Sequence, residues 1–134
     1  MPNPFSELEV VEQPALELLG ELGWTVASAA EETFGSGGTL GRDSTADVVL
    51  VHGLRAAVER LNPALPALVR EEAVAELVKN RSVMDPVRAN QAVHDLLRDG
   101  HRVTWRDDAG DEVDGTVVFV DFRDPGRNDW LAAS

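Results

Sequence analysis

One stretch limits what this chain can fold into more than any other: residues 44–66, STADVVLVHGLRAAVERLNPALP. Leu50 or Val51, Leu54, Ala57 or Val58, and Leu61 recur at helical spacing and share one face. Arg55, Glu59 and Arg60 take the rest of the surface. Ser44 followed by Asp47 gives an acidic variant of the capping box, a start signal. Asn62-Pro63 is the stop, because a residue before proline is pushed out of the helical region. Pro66 then opens a second helix, where its missing N–H costs nothing, and that helix runs to about Lys79. The pattern predicts a helical hairpin that supplies core and carries no chemistry of its own.

Other punctuation marks extend this frame. Ser6 with Glu9 matches a capping box. The helix that follows reaches Leu22, with Pro14 placed in its first turn because an interior proline costs about 3 kcal/mol. Ala15, Leu18, Leu19 and Leu22 form its expected buried stripe, and Gly23 ends it as a left-handed cap. Residues 24–27 read as a short strand. Asp85-Pro86 starts another helix, with Ala89, Val93, Leu96 and Leu97 inward and Gly100 as its end. Beyond Gly100 the period becomes two: Val103 and Trp105 face one way, Arg102, Thr104 and Arg106 the other. A polar turn at 107–112 leads to a second strand over 113–122, whose hydrophobics on both faces predict cover on both sides. Pro125, Gly126 and Asn128 make a loop, and an apolar run follows over 130–133. The expected class is α/β in the α+β sense: a mainly helical part (6–99, about four helices), then a β-hairpin.

Charge and composition exclude several functions. The net charge of −12 argues against the chain alone holding DNA, since Lys and Arg contacts to phosphate supply most non-specific affinity. Residues 1–41 hold seven acids and no Lys or Arg. They make either a solvated acidic face or a surface for a basic partner. The absence of cysteine rules out disulfides and thiolate metal sites and is compatible with the cytoplasm. No apolar run approaches the roughly 18 residues of a membrane span, and the first ten residues lack the features of a signal peptide. Gly35, Gly37, Gly38 and Gly41 have neither phosphate-loop nor dinucleotide spacing and predict a mobile loop. Asp107, Asp108, Asp111 and Glu112 lack the EF-hand pattern and read as a hairpin turn. His52, His94 and His101 lack zinc-ligand spacing. Asp121 closes a strand with no E-x-K after it and reads as an anchor for the turn that follows.

Several words in order carry a family resemblance: VEQPALELLGELGW (11–24), TLGRDSTADVVLVHGLRAAVERLNPALP (39–66), NRSVMDPVRANQAVHDLLRDGHRV (80–103) and VVFVDFRDPGRNDWLAAS (117–134). Together they resemble the N-terminal region of the R subunit of type I restriction enzymes, the nuclease and DNA-translocating subunit. The resemblance implies a metal-dependent nuclease of the PD-(D/E)xK type. In such a nuclease an acid on the first helix, matched here by Glu12, helps assemble a magnesium site. The main ligands, an aspartate and an E-x-K pair on adjacent strands, follow the region that RNDWLAAS matches. The chain is therefore expected to be an N-terminal piece (1–134) whose hairpin and following residues (102–134) begin an incomplete restriction-endonuclease-like sheet. The parent would use Mg2+ and ATP and work with modification and specificity subunits. The piece alone would bind neither cofactor, would hold DNA weakly or not at all, and would self-associate, most simply as a two-fold homodimer through an edge strand or its apolar face. A non-catalytic acidic protein-interaction module is the alternative.

Overall fold

A computed structural model describes residues 8–134. The Ser6–Glu9 capping box lies outside the described residues. The class is α+β, with a helical N-terminal part followed by a hairpin, and the chain divides into two compact units.

The first unit combines the N-terminal residues through Val48 with residues 129–134. A π-helical turn, Leu8–Glu12, runs into α1 (Gln13–Glu21), with Pro14 at the helix start as its chemistry requires. Leu22 caps α1, and Gly23 takes φ +93°, the left-handed value expected there. β1 (Thr25–Ala27) follows and pairs in parallel with β4 (Leu131–Ala133), Thr25 opposite Leu131 and Ala27 opposite Ala133. The α1 stripe departs from expectation. Leu18 is 56% exposed and Leu22 68%, Ala15 is also exposed, and only Leu19 is half-buried. The helical spacing holds, but among the described residues of this unit α1 packs only on the π-helical turn and two short strands.

The second unit is continuous, residues 49–128. Its helices are α2 (Val51–Leu61), α3 (Ala67–Val78) and α4 (Pro86–Asp99). β2 (His101–Arg106) and β3 (Glu112–Val117) form an antiparallel hairpin with His101 opposite Val117. Val58 and Leu61 of α2, Val69, Ala73, Val74 and Leu77 of α3, Val103, Val117 and Phe119 are its buried apolar residues. Arg81 donates to the carbonyls of Glu76 and Leu77, satisfying the end of α3. Asp85 caps α4 by accepting from the Val87 N–H at 2.8 Å, as predicted. Leu97, expected inward, is 37% exposed on the outer side of α4. Gly100 has φ +81°, and a Cβ there would lie 2.5 Å from the Val117 carbonyl oxygen, so only glycine joins α4 to β2.

Three expected boundaries move. The central helix starts at Val51, not near Ser44. Ser44 and Asp47 fold a turn instead: Asp47 accepts from the Asp43 N–H at 2.9 Å and Ser44 Oγ from the Ala46 N–H. The second strand ends at Val117, not Phe122, because the Asn62 side chain replaces a neighbouring strand at Val118. Cover is also uneven there, with Val120 half-buried against the core. Val117 and Phe119 are buried, while Phe122 is 65% exposed. Finally, the strands of 102–134 are divided between two separate two-stranded ladders rather than joined in one, since β4 pairs with β1.

Candidate functional site

The candidate site lies in the first unit, around the start of α1 and the β1–β4 pair. Glu12 ends the π-helical turn and occupies the N-cap position of α1, with helical backbone angles. Its side chain is exposed and has no hydrogen-bond partner among the described residues. Beyond it, Gln13, Leu16 and Glu17 line a groove of about 330 Å3 whose other wall is Val26 and Ala27 of β1, Ser28 after it, and Ser134 beyond β4. α1 runs close beside β1 at Gly20, where even a Cβ would sit in ordinary contact with Val26 at 3.5 Å. Trp24 and Trp130 stack with ring centroids 5.2 Å apart and planes at 22°, pinning the two strands at one end. At the other end Ser134 donates to Ala27 O and accepts from the Ala29 N–H.

The glycine-bearing loop that leaves β1 is tied down rather than loose in its bonding. Arg42 donates to both carboxylate oxygens of Glu32, a two-pronged ion pair, and Thr33 and Thr39 are bonded across the loop. The Arg42 hydrogen bond holds the Glu32 carboxyl below the usual carboxylate range. No single motif announced this clasp, since its partners stand ten residues apart.

The remaining acids flagged in the sequence serve turns. Asp107 accepts from the N–H groups of Ala109 and Asp111 in the hairpin loop. Asp121 is the anchor expected of it. One oxygen accepts from the N–H groups of Arg123 and Asp124, the other pairs with Arg127 at 3.0 Å, and the Asn128 amide brackets its backbone. The backbone N–H of Asp124, then that of Arg123 and the Arg127 charge, hold its carboxyl below the ordinary range. A depressed carboxyl contributes stability that is complete above its unfolded pKa and lost as pH falls through the folded one. Thermal melts should therefore show Asp121→Asn less stable than the native chain at neutral pH, with the gap closing below about pH 4. A gap that persists in acid would show that the carboxylate charge is irrelevant to the turn. His52, His94 and His101 stand apart, and no group of three His, Cys, Asp or Glu among the described residues could hold a metal ion.

The comparisons with known proteins settle the family of the chain. The model of the type I restriction enzyme R protein N terminus matches residues 4–134. The chain belongs to that R protein N-terminal family. It is similar to the type I restriction enzyme HindI endonuclease subunit of Haemophilus influenzae, with 35% identity over 127 residues. That match covers 92% of this chain and 12% of the relative, so the R-protein N-terminal chain spans about an eighth of the length of the curated relative it matches. No solved structure matches it. No helix among the described residues is long and apolar enough to cross a membrane.

The family's implied magnesium can be tested against these side chains. Magnesium prefers oxygen ligands in near-octahedral array and is often held by only one or two carboxylates besides water and substrate phosphate. Glu12 supplies one exposed carboxylate, and it belongs to no group of three His, Cys, Asp or Glu among the described residues. The described residues do not by themselves fit a magnesium site.

Proposed function

We propose that this chain is the N-terminal segment of an R subunit that cleaves DNA and, driven by ATP, translocates along it, in a cytoplasmic complex with modification and specificity subunits. The observation that supports this most is the family match along nearly the whole chain, joined to a relative about eight times its length. In this reading Glu12 contributes one carboxylate to a Mg2+ site whose other ligands, like the ATP site, belong to the remainder of the R subunit. In support of this reading, Glu12 is exposed just ahead of α1 and has no hydrogen-bond partner among the described residues. DNA reaches the site through the assembled complex.

The 134-residue chain, incubated with supercoiled DNA, Mg2+ and ATP, is expected to produce no nicked or linear DNA and no inorganic phosphate. Nicking that disappears in Glu12→Ala would show instead that the chain carries a complete site of its own.

A second reading, a non-catalytic acidic interaction module, draws on the uncovered stripe of α1. Leu18 and Leu22 are exposed on a unit with ten acids and a single base, Arg42. Uncovered apolar surface of this kind tends to be buried by association. For the isolated chain the simplest form is a two-fold dimer through this face or a strand edge. Sedimentation over a concentration series should show a dimer that Leu18→Glu with Leu22→Glu returns to monomer. A native chain that stays monomeric throughout would contradict it.

A further inference from the structure

Eleven of the twelve basic residues fall in the second unit, where they stand against fourteen acids. Four of those eleven, distant in sequence, meet around one groove of about 450 Å3 on that unit. Arg98 of α4, Arg123 and Arg127 line it, over a floor that includes Leu61, Val118 and Val120. Arg60 of α2 stands beside it, its Nε donating to the Arg127 carbonyl at 3.0 Å across 67 residues of sequence. Phe122 lines the same groove and is 65% exposed. Of the acids nearby, Asp124 has no side-chain partner among the described residues, and the others are engaged. Asp121 is taken by two backbone N–H groups and Arg127, and Asp99 and Asp95 by Arg98. Arg123 has no side-chain partner among the described residues, and Arg60 keeps its two terminal nitrogens unbonded there.

Guanidinium groups around an apolar floor, with an aromatic face open to solvent, are the two ingredients of single-strand recognition. The cations follow the phosphodiester chain, and a base stacks on the ring. We propose that this groove binds a single-stranded DNA segment, with Arg60 and Arg123 on phosphates and Phe122 under a base. A duplex keeps its bases stacked inside and gives Phe122 nothing to meet. The choice of DNA among polyanions rests on the R-subunit reading; the groove's chemistry does not. The groove belongs to the second unit and the Glu12 carboxylate to the first. The acidic balance of the whole chain keeps the affinity low, in the range of roughly 10⁻⁴–10⁻⁶ M typical of non-specific binding.

The test is fluorescence anisotropy of a labelled oligothymidylate titrated with the intact chain over a series of low salt concentrations. Binding is expected, and Arg123→Glu should weaken it and reduce its logarithmic salt dependence by about one. Arg88→Glu makes the same charge change on α4, ten residues or about 15 Å along the helix from Arg98, and should leave that slope unchanged. Phe122→Ala should weaken binding at least fivefold with the salt slope unaltered. Equal effects of Arg123→Glu and Arg88→Glu would overturn the groove assignment. So would no binding by the native chain at the lowest salt, or displacement by polyglutamate as readily as by unlabelled oligonucleotide. Tighter binding of a matched duplex would overturn the single-strand assignment. The readout involves no cleavage, so its failure leaves the Glu12 reading standing, and the reverse also holds.

Discussion

Replacing Asn62 with alanine is expected to lower the unfolding free energy of the second unit by about 3 kcal/mol. Asn62 is the one buried polar residue among the described residues, at 6% exposure. Its amide nitrogen donates to Val58 O and Val118 O, both at 2.8 Å, and its oxygen accepts from the Val118 N–H at 2.8 Å. One side chain thus closes the end of α2 and takes both backbone groups of the residue where β3 has run out of partner. Alanine would strand those groups in a part-buried position. Leucine would fill the space and strand them equally, which separates the hydrogen bonds from the packing. Hydrogen exchange gives the local readout: the Val118 amide should lose its protection in both variants, ahead of the amides of β2. If Asn62→Leu is as stable as the native chain, the amide bonds are not what ends the strand.

The other large effect belongs to the parent subunit. In an R subunit carrying these residues, Glu12→Ala is expected to slow DNA cleavage by roughly ten- to a hundredfold or more, the range seen when support for a bound metal is lost. ATP hydrolysis should be unchanged. Glu12→Gln should match alanine, because it keeps the shape and loses the charge that holds a hard cation. Glu21→Ala, also an exposed acid on α1, is the control. Cleavage at the native rate by Glu12→Ala would remove Glu12 from the metal site.

What could be read from the sequence was what is encoded locally. Asp85-Pro86 and Gly100 bracket α4 because a cap, a fixed φ and a positive φ each act on their own few residues. The same holds for Pro14, Gly23 and Asn62-Pro63. Ser44 misled because serine and aspartate serve a turn as readily as a helix start, and here Asp47 is held by Asp43 and Arg42. The strand over 113–122 was read too long because Asn62, a helix-end residue some 56 positions earlier, supplies what a neighbouring strand would. The arginine groove was illegible for the same reason: Arg60 and Arg127 become neighbours only after the second unit has folded. Glu12 was found through the family resemblance, since its immediate surroundings mark it as no more than an acid at a helix start.

The parallel pairing of β1 with β4 also sets an order in time. Its partners are more than a hundred residues apart, and the whole of the second unit is encoded between them. As the chain leaves the ribosome at about 5–20 residues per second, β1 waits roughly 5–20 s for its neighbour. In that interval residues 49–128 have all emerged and can begin to close around Val58 and Val117. Once they have closed, the flexible loop separating the two strands is far shorter than the sequence suggests, and the entropy of joining them falls accordingly. The nascent polypeptide therefore passes through a stage with a closing helical unit and an unpaired, acid-flanked β1. During that stage the many glutamates of the leading segment, by mutual repulsion, keep neighbouring nascent chains apart.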